Sequence, residues 1–153
     1  GTPTQQSDAL VTLECNLDDC SPQILGAVIE QLLAAGALDA WVSPVVMKKN
    51  RPGHLLGVLT RVELKDALLT LIFRETTTLG VREMPLTRHA LERRFDTVQT
   101  PWGPVRMKVG LQQGRDVNAV PEFDECRALA TTHGVALKEV QLAAWSAWQQ
   151  RRK

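Results

Sequence analysis

The chain has 153 residues, a formal net charge of +1, and 44% hydrophobic against 23% charged residues. That length supports a core of ordinary domain size, able to take roughly 68–70% of the unfolded surface out of water, and no apolar run nears the ~20 residues a membrane-spanning helix needs. So even a charge balance gives no general attraction for nucleic acid or anionic lipid, and anion binding has to come from local clusters of Lys and Arg.

Residues 1–10 are polar, contain Pro3 and lack a signal-peptide core, so they read as a disordered or cloning-derived start. From Val11, apolar Val11, Leu13, Cys15 and Leu17 alternate with Thr12, Glu14, Asn16 and Asp18, the pattern of a half-buried strand. Ser21 followed by Pro22 marks a helix start, because Ser accepts from free backbone N–H groups and proline tolerates the first helical position. The stripe Ile24, Leu25, Val28, Ile29, Leu32 and Leu33 carries the helix until Gly36 stops it.

Leu38 to Met47 and His54 to Thr60 read as two strands, joined by the turn-rich Lys48-Lys49-Asn50-Arg51-Pro52-Gly53. Leu64, Ala67, Leu68, Leu71 and Ile72 restore helical spacing, which fades at Thr76-Thr77-Thr78 and ends by Gly80. Val81 to Leu91 is a fourth strand that Pro85 restricts to an edge or a bend. The order β-α-β-β-α-β predicts an α+β, ferredoxin-like unit over residues 11–92, an open antiparallel sheet with both helices on one face. Asp96 to Thr100 and Val105 to Val109 flank Pro101-Trp102-Gly103-Pro104 as a β-hairpin. Helices over about Glu122–His133 and Lys138–Gln150 complete an extension over residues 93–153.

Three clusters carry chemical interest. Glu14, Asp18 and Asp19 gather at the end of the first strand, where hard oxygen donors suit Mg²⁺ or Mn²⁺ beside a phosphate; the competing reading is a solvated strand face. Lys48, Lys49 and Arg51 put three cations on one turn, and Gly53 permits close backbone approach by an anion; a solvated hairpin tip is the alternative. Arg74, Thr76, Thr77, Thr78 and Arg82 crowd a helix-to-strand junction and serve either a phosphate or the free carbonyls of the helix end.

Other chemistries find less support. His54, His89 and His133 lack metal-ligand spacing, and no GxxxxGK[ST], GxGxxG or GxSxG is present. The three cysteines, Cys15, Cys20 and Cys126, contain no CxxC pair, which argues against a disulfide framework or zinc knuckle and suits a reducing, cytoplasmic setting. An open sheet beside two helices is also how RNA-recognition modules are built, but no aromatic falls on the first or third strand to stack bases.

Taken together, Asn16-Leu17-Asp18-Asp19, Met47 through Gly53, Phe73 through Arg82, Thr100-Pro101 with Gly103, and Pro121-Glu122-Phe123 leading to Cys126 resemble the C-terminal portion of the LarC family. These are nickel-insertion proteins of the lactate racemase cofactor pathway, also described as nickel chelatases (lyases) acting on pyridinium-3,5-bisthiocarboxylic acid mononucleotide. The resemblance implies a CTP-dependent insertion of nickel that yields a nickel-pincer nucleotide. It implies that this portion binds CTP with Mn²⁺ or Mg²⁺ and assembles into trimers or hexamers, while a histidine-rich nickel-storing stretch belongs to the N-terminal portion. On this chain Lys48, Lys49, Asn50, Arg51 and Gly53 would hold the phosphates, Arg74, Thr76, Thr77, Thr78 and Arg82 would line the site, and Glu14, Asp18 and Asp19 would be the metal-side carboxylates. Cys20, Ser21 and Gln23 stand where the family pattern has Met, a polar residue and Glu. The alternative is a non-catalytic oligomerisation or small-ligand sensor module on the same fold.

Overall fold

The computed structural model describes residues 5–151. Within it the chain divides into two compact units, Ser7–Arg88 and a second built on residues 89–151 together with Gln5 and Gln6, each with its own hydrophobic core.

The first unit contains most of β1 (Gln5–Leu17), α1 (Pro22–Ala34), β2 (Asp39–Met47), β3 (Arg51–Arg61), α2 (Lys65–Glu75) and the start of β4 (Arg82–Thr100). Its strands lie in the order β2-β3-β1-β4, the ferredoxin-like arrangement that the element order predicts. Local chemistry explains the pieces. Ser21 Oγ accepts a hydrogen bond from the Ile24 amide at 3.2 Å, Pro22 opens α1, and Gly36 leaves the helix with φ 104°. The core joins Leu13, Cys15 and Leu17 of β1 and Leu56 and Val58 of β3 to Leu25, Val28 and Leu32 of α1 and Leu68 and Ile72 of α2. Both helices therefore cover one sheet face, and Thr12, Glu14 and Asn16 of β1 point to the other.

β1 starts at Gln5, ahead of the expected Val11, so only residues 1–4 of the expected irregular start lie outside the described residues. Polar residues at 5–8 hide a strand that backbone pairing extends without apolar alternation.

The second unit holds the rest of β4 with β5 (Gly103–Gln112), β6 (Arg115–Pro121), α3 (Phe123–His133) and α4 (Leu137–Arg151), its strands in the order β4-β5-β6. The expected hairpin is thus a three-stranded meander, and the two strands expected on either side of residue 93 are one. The run Glu92-Arg93-Arg94 reads as a break, but a strand tolerates the charge because Arg94 is fully paired to Asp96 and Asp116. β6 escapes prediction because its outward side chains mix Val117 with Asn118 and Val120; its one sequence signal is the left-handed pair Gln113 (φ 51°) and Gly114 (φ 71°) that turns the chain from β5. Pro85 lies in the part of β4 before its β5 partners begin at Glu92, where a missing N–H costs no hydrogen bond on that side. The core unites Val98, Val105, Met107 and Val109 with Cys126 and Ala130 of α3 and Val140, Ala144 and Trp148 of α4. Among the described residues no helix is long and apolar enough to cross a membrane.

Candidate functional site

Three segments of the first unit meet at the C-terminal end of β1. The first is the strand end itself, where Leu17 pairs with His54 of β3 and Asp18 and Asp19 follow. The second is the β2–β3 tip, where Met47 faces Arg51 and the chain turns through Lys49 (φ 61°, ψ 26°) and Asn50 (φ 59°). The left-handed conformation of Lys49 costs roughly 1–2 kcal/mol, whereas Asn50 adopts that region readily in a turn. The third is the α2–β4 junction, Thr76 to Val81.

Side-chain contacts tie the three together. Thr77 Oγ1 donates to Asp19 Oδ1 at 2.5 Å, linking the junction to the end of β1. Arg51 Nη1 approaches Asp18 Oδ2 at 3.8 Å, linking the tip to the same end. On the helix-free face, Arg82 Nε donates to Glu14 Oε1 at 3.2 Å and Nη2 donates to Asn16 Oδ1. Among the described residues, neither Lys48 nor Lys49 has a carboxylate within ion-pair distance, and both are exposed.

The rest of the expected set behaves differently. Thr76 Oγ1 donates to the Ile72 carbonyl at 2.8 Å and Thr78 Oγ1 to the Gly80 carbonyl at 2.7 Å, so these hydroxyls close the end of α2 and the turn after it. Arg74 Nε is held by its neighbour Glu75 at 2.8 Å. Gly53 is buried, and a Cβ on it would overlap Met47 Sδ and come within 2.8 Å of the Leu17 carbonyl oxygen. Packing inside the chain is therefore one reason for the glycine there.

Glu14, Asp18 and Asp19 do not converge on one point. Among the described residues no three His, Cys, Asp or Glu side chains are placed to hold a metal ion, because each of the three carboxylates faces a different partner. Burial, the largest cause in each case, pushes the thiols of Cys15, Cys20 and Cys126 above the ordinary cysteine value.

Sequence reasoning misses Trp41. Counting outward from the hairpin centre pairs Trp41 of β2 with Gly57 of β3, and Gly57 in turn pairs with Glu14 of β1. A Cβ on Gly57 would overlap Cε2, Cζ2 and Nε1 of the indole, so the ring lies against the β3 backbone on the helix-free face. A glycine inside a strand, opposite a tryptophan at the mirror position of the hairpin, is the signal that was available.

Residues 1–141 match the family model described as nickel insertion protein. The chain belongs to this family. A nickel insertion relative from Myxococcus xanthus is 53% identical over 141 residues, covering 92% of this chain and 36% of the relative. Another from Synechococcus elongatus is 42% identical over 149 residues, covering 97% of this chain and 37% of the relative. The chain thus spans little more than a third of the length of the curated relatives it matches. Among solved structures it is similar, at a TM-score of 0.90 and 42% identity over 94% of this chain and 99% of the other, to the apo form of the C-terminal domain of a cyclometallase involved in the synthesis of the NPN cofactor of lactate racemase. A Methanopyrus kandleri protein matches at a TM-score of 0.70 and 27% identity, over 95% of this chain and 91% of that one. The resemblance drawn from the five sequence segments and the open antiparallel fold both hold for this nickel insertion family member.

Proposed function

We propose that this chain is the nucleotide-binding, C-terminal part of a nickel chelatase that makes a nickel-pincer nucleotide from pyridinium-3,5-bisthiocarboxylic acid mononucleotide, and that it binds CTP together with Mn²⁺ or Mg²⁺. The observation that carries this reading is the convergence at the end of β1, where among the described residues Lys48 and Lys49 have no carboxylate partner and Arg51 comes no nearer than 3.8 Å to Asp18. A triphosphate supplies what Lys48 and Lys49 lack, and Arg51 gains far more from a phosphate than from a carboxylate 3.8 Å away. The likeness to a cyclometallase domain supports the same reading.

The donor chemistry fits a hard divalent cation. Glu14, Asp18 and Asp19 offer carboxylate oxygens, and without a cage of three the ion is shared between one or two of them and the phosphates, the usual mode for Mg²⁺. When bound, the cation neutralises phosphate charge. Arg51 and Thr77, held here by Asp18 and Asp19, are the donors set free for phosphate once those carboxylates are otherwise engaged. Arg82, fixed between Glu14 and Asn16, lines the helix-free face beside them. Nickel, the inserted metal, is handled by the N-terminal portion of the full-length protein, and the domain works as a homo-oligomer, a trimer or hexamer.

Thermal denaturation with CTP, ATP and GTP, each with and without Mn²⁺, tests the proposal. CTP with the cation is expected to raise Tm most, and ligand at 100 times its Kd adds about 2.7 kcal/mol. Equal shifts for the three nucleotides would overturn the CTP preference; no shift with any would overturn nucleotide binding.

A further inference from the structure

The helix-free face of the first unit carries an aromatic side chain, Trp41, to which the phosphate and cation reading gives no role. The indole of Trp41 lies on the bare backbone at Gly57, and residues two positions away on β3, Leu55 and Leu59, flank it on the same face. Along the cross-strand row the next side chain is Glu14, whose carboxylate is fixed by Arg82, and Arg82 also holds Asn16. A flat, partly exposed aromatic surface thus borders oriented polar groups able to accept from and donate to the edge of a planar ring.

Spacing along the sheet connects this surface to the cation cluster. Arg51 reaches back to Asp18, which follows Leu17, the partner of His54. From His54 to Gly57 is three strand steps and from Gly53 four, roughly 10–13 Å at the rise of a strand. A ribose carrying phosphates spans that scale.

We infer that Trp41, seated on Gly57, is the stacking platform for the heteroaromatic base of the nucleotide whose phosphates the β2–β3 tip receives. The inference rests on the nucleotide reading above and adds the base subsite to it. An aromatic ring laid over a strand glycine also shields backbone and stabilises a sheet. That role alone moves stability and leaves ligand affinity untouched, which separates the two.

The test compares the wild-type chain with Trp41→Leu and Trp41→Phe, titrating CTP and, separately, inorganic tripolyphosphate, both with Mn²⁺, by calorimetry. Loss of base–aromatic stacking in Trp41→Leu is expected to weaken CTP on the order of 10-fold or more while tripolyphosphate binds as before, and Trp41→Phe recovers most of the loss. Equal weakening of both ligands, or unchanged CTP affinity in Trp41→Leu, overturns the platform. Wild-type chain that binds tripolyphosphate as tightly as CTP also overturns it, with the anion site left standing. A chain that binds neither overturns the platform and the nucleotide reading together.

Discussion

A basic cluster in each unit handles its charge in an opposite way. In the second, Arg94 spreads its guanidinium between Asp96 and Asp116 in four hydrogen bonds of 2.8–2.9 Å, and Trp148 Nε1 adds a fifth contact to Asp96 at 3.4 Å. Arg106 is similarly tied to Glu125 at 2.8 Å. In the first unit Arg51 stands 3.8 Å from Asp18, beyond hydrogen-bond distance, and Lys48 and Lys49 stand on a left-handed turn with no carboxylate near them among the described residues. A saturated guanidinium has its donors committed to structure. The tip cations keep donors that no side chain of the described residues takes up, which is what the proposed phosphate site requires.

Replacing the tip charges, Lys48→Ala with Arg51→Ala, should break this contrast most strongly. CTP affinity with Mn²⁺ is expected to fall about 10- to 100-fold, from the loss of charge-assisted hydrogen bonds, while the urea midpoint moves little because neither side chain anchors the fold. Unchanged affinity in calorimetry would place the phosphates elsewhere.

Asp96→Asn should do the reverse, lowering stability by about 1 kcal/mol with CTP affinity intact; water contact keeps the effect at the low end for a charged hydrogen bond. Its pH dependence follows from the Arg94 guanidinium, which with help from Trp148 holds the Asp96 carboxyl below its ordinary range. The stabilisation is therefore fully present above the ordinary Asp value of about 3.9 and disappears as pH falls through the lower folded value. Urea curves of wild type and variant should stay apart between pH 7 and 5 and converge in strong acid. A gap that persists there would assign the effect to packing.

The smallest expected effect sharpens the contrast at one residue. Lys49→Gly relieves left-handed strain and should raise stability by about 0.5 kcal/mol, since glycine's greater freedom in the unfolded chain offsets part of the gain. The same variant should bind CTP several-fold more weakly. Stability and affinity moving in opposite directions is the signature of a tip shaped for a guest.

Much of this arrangement is legible in the residues themselves. Ser21-Pro22 and Gly36 delimit α1, and the β-α-β-β-α-β order leads to the observed strand order, because capping and periodicity are local physics. What escapes depends on contacts distant in sequence. Arg94 reads as an interruption until Asp116, 22 residues away, is seen to neutralise it. Thr76, Thr77 and Thr78 look equivalent in a row, yet two close the helix end and its turn and the middle one reaches Asp19, 58 residues earlier. Trp41 stays hidden because its surroundings exist only once the hairpin register sets it on Gly57.

The burial of Cys15 and Cys126 and the partial burial of Cys20 have a consequence for metal binding. A thiol binds nickel as the thiolate, and burial makes each of the three costlier to deprotonate than an ordinary cysteine. An ion that takes one of these sulfurs must displace its proton at that extra cost, so the donors most readily offered are exposed oxygens. Those oxygens suit a hard divalent cation better than a borderline-soft one.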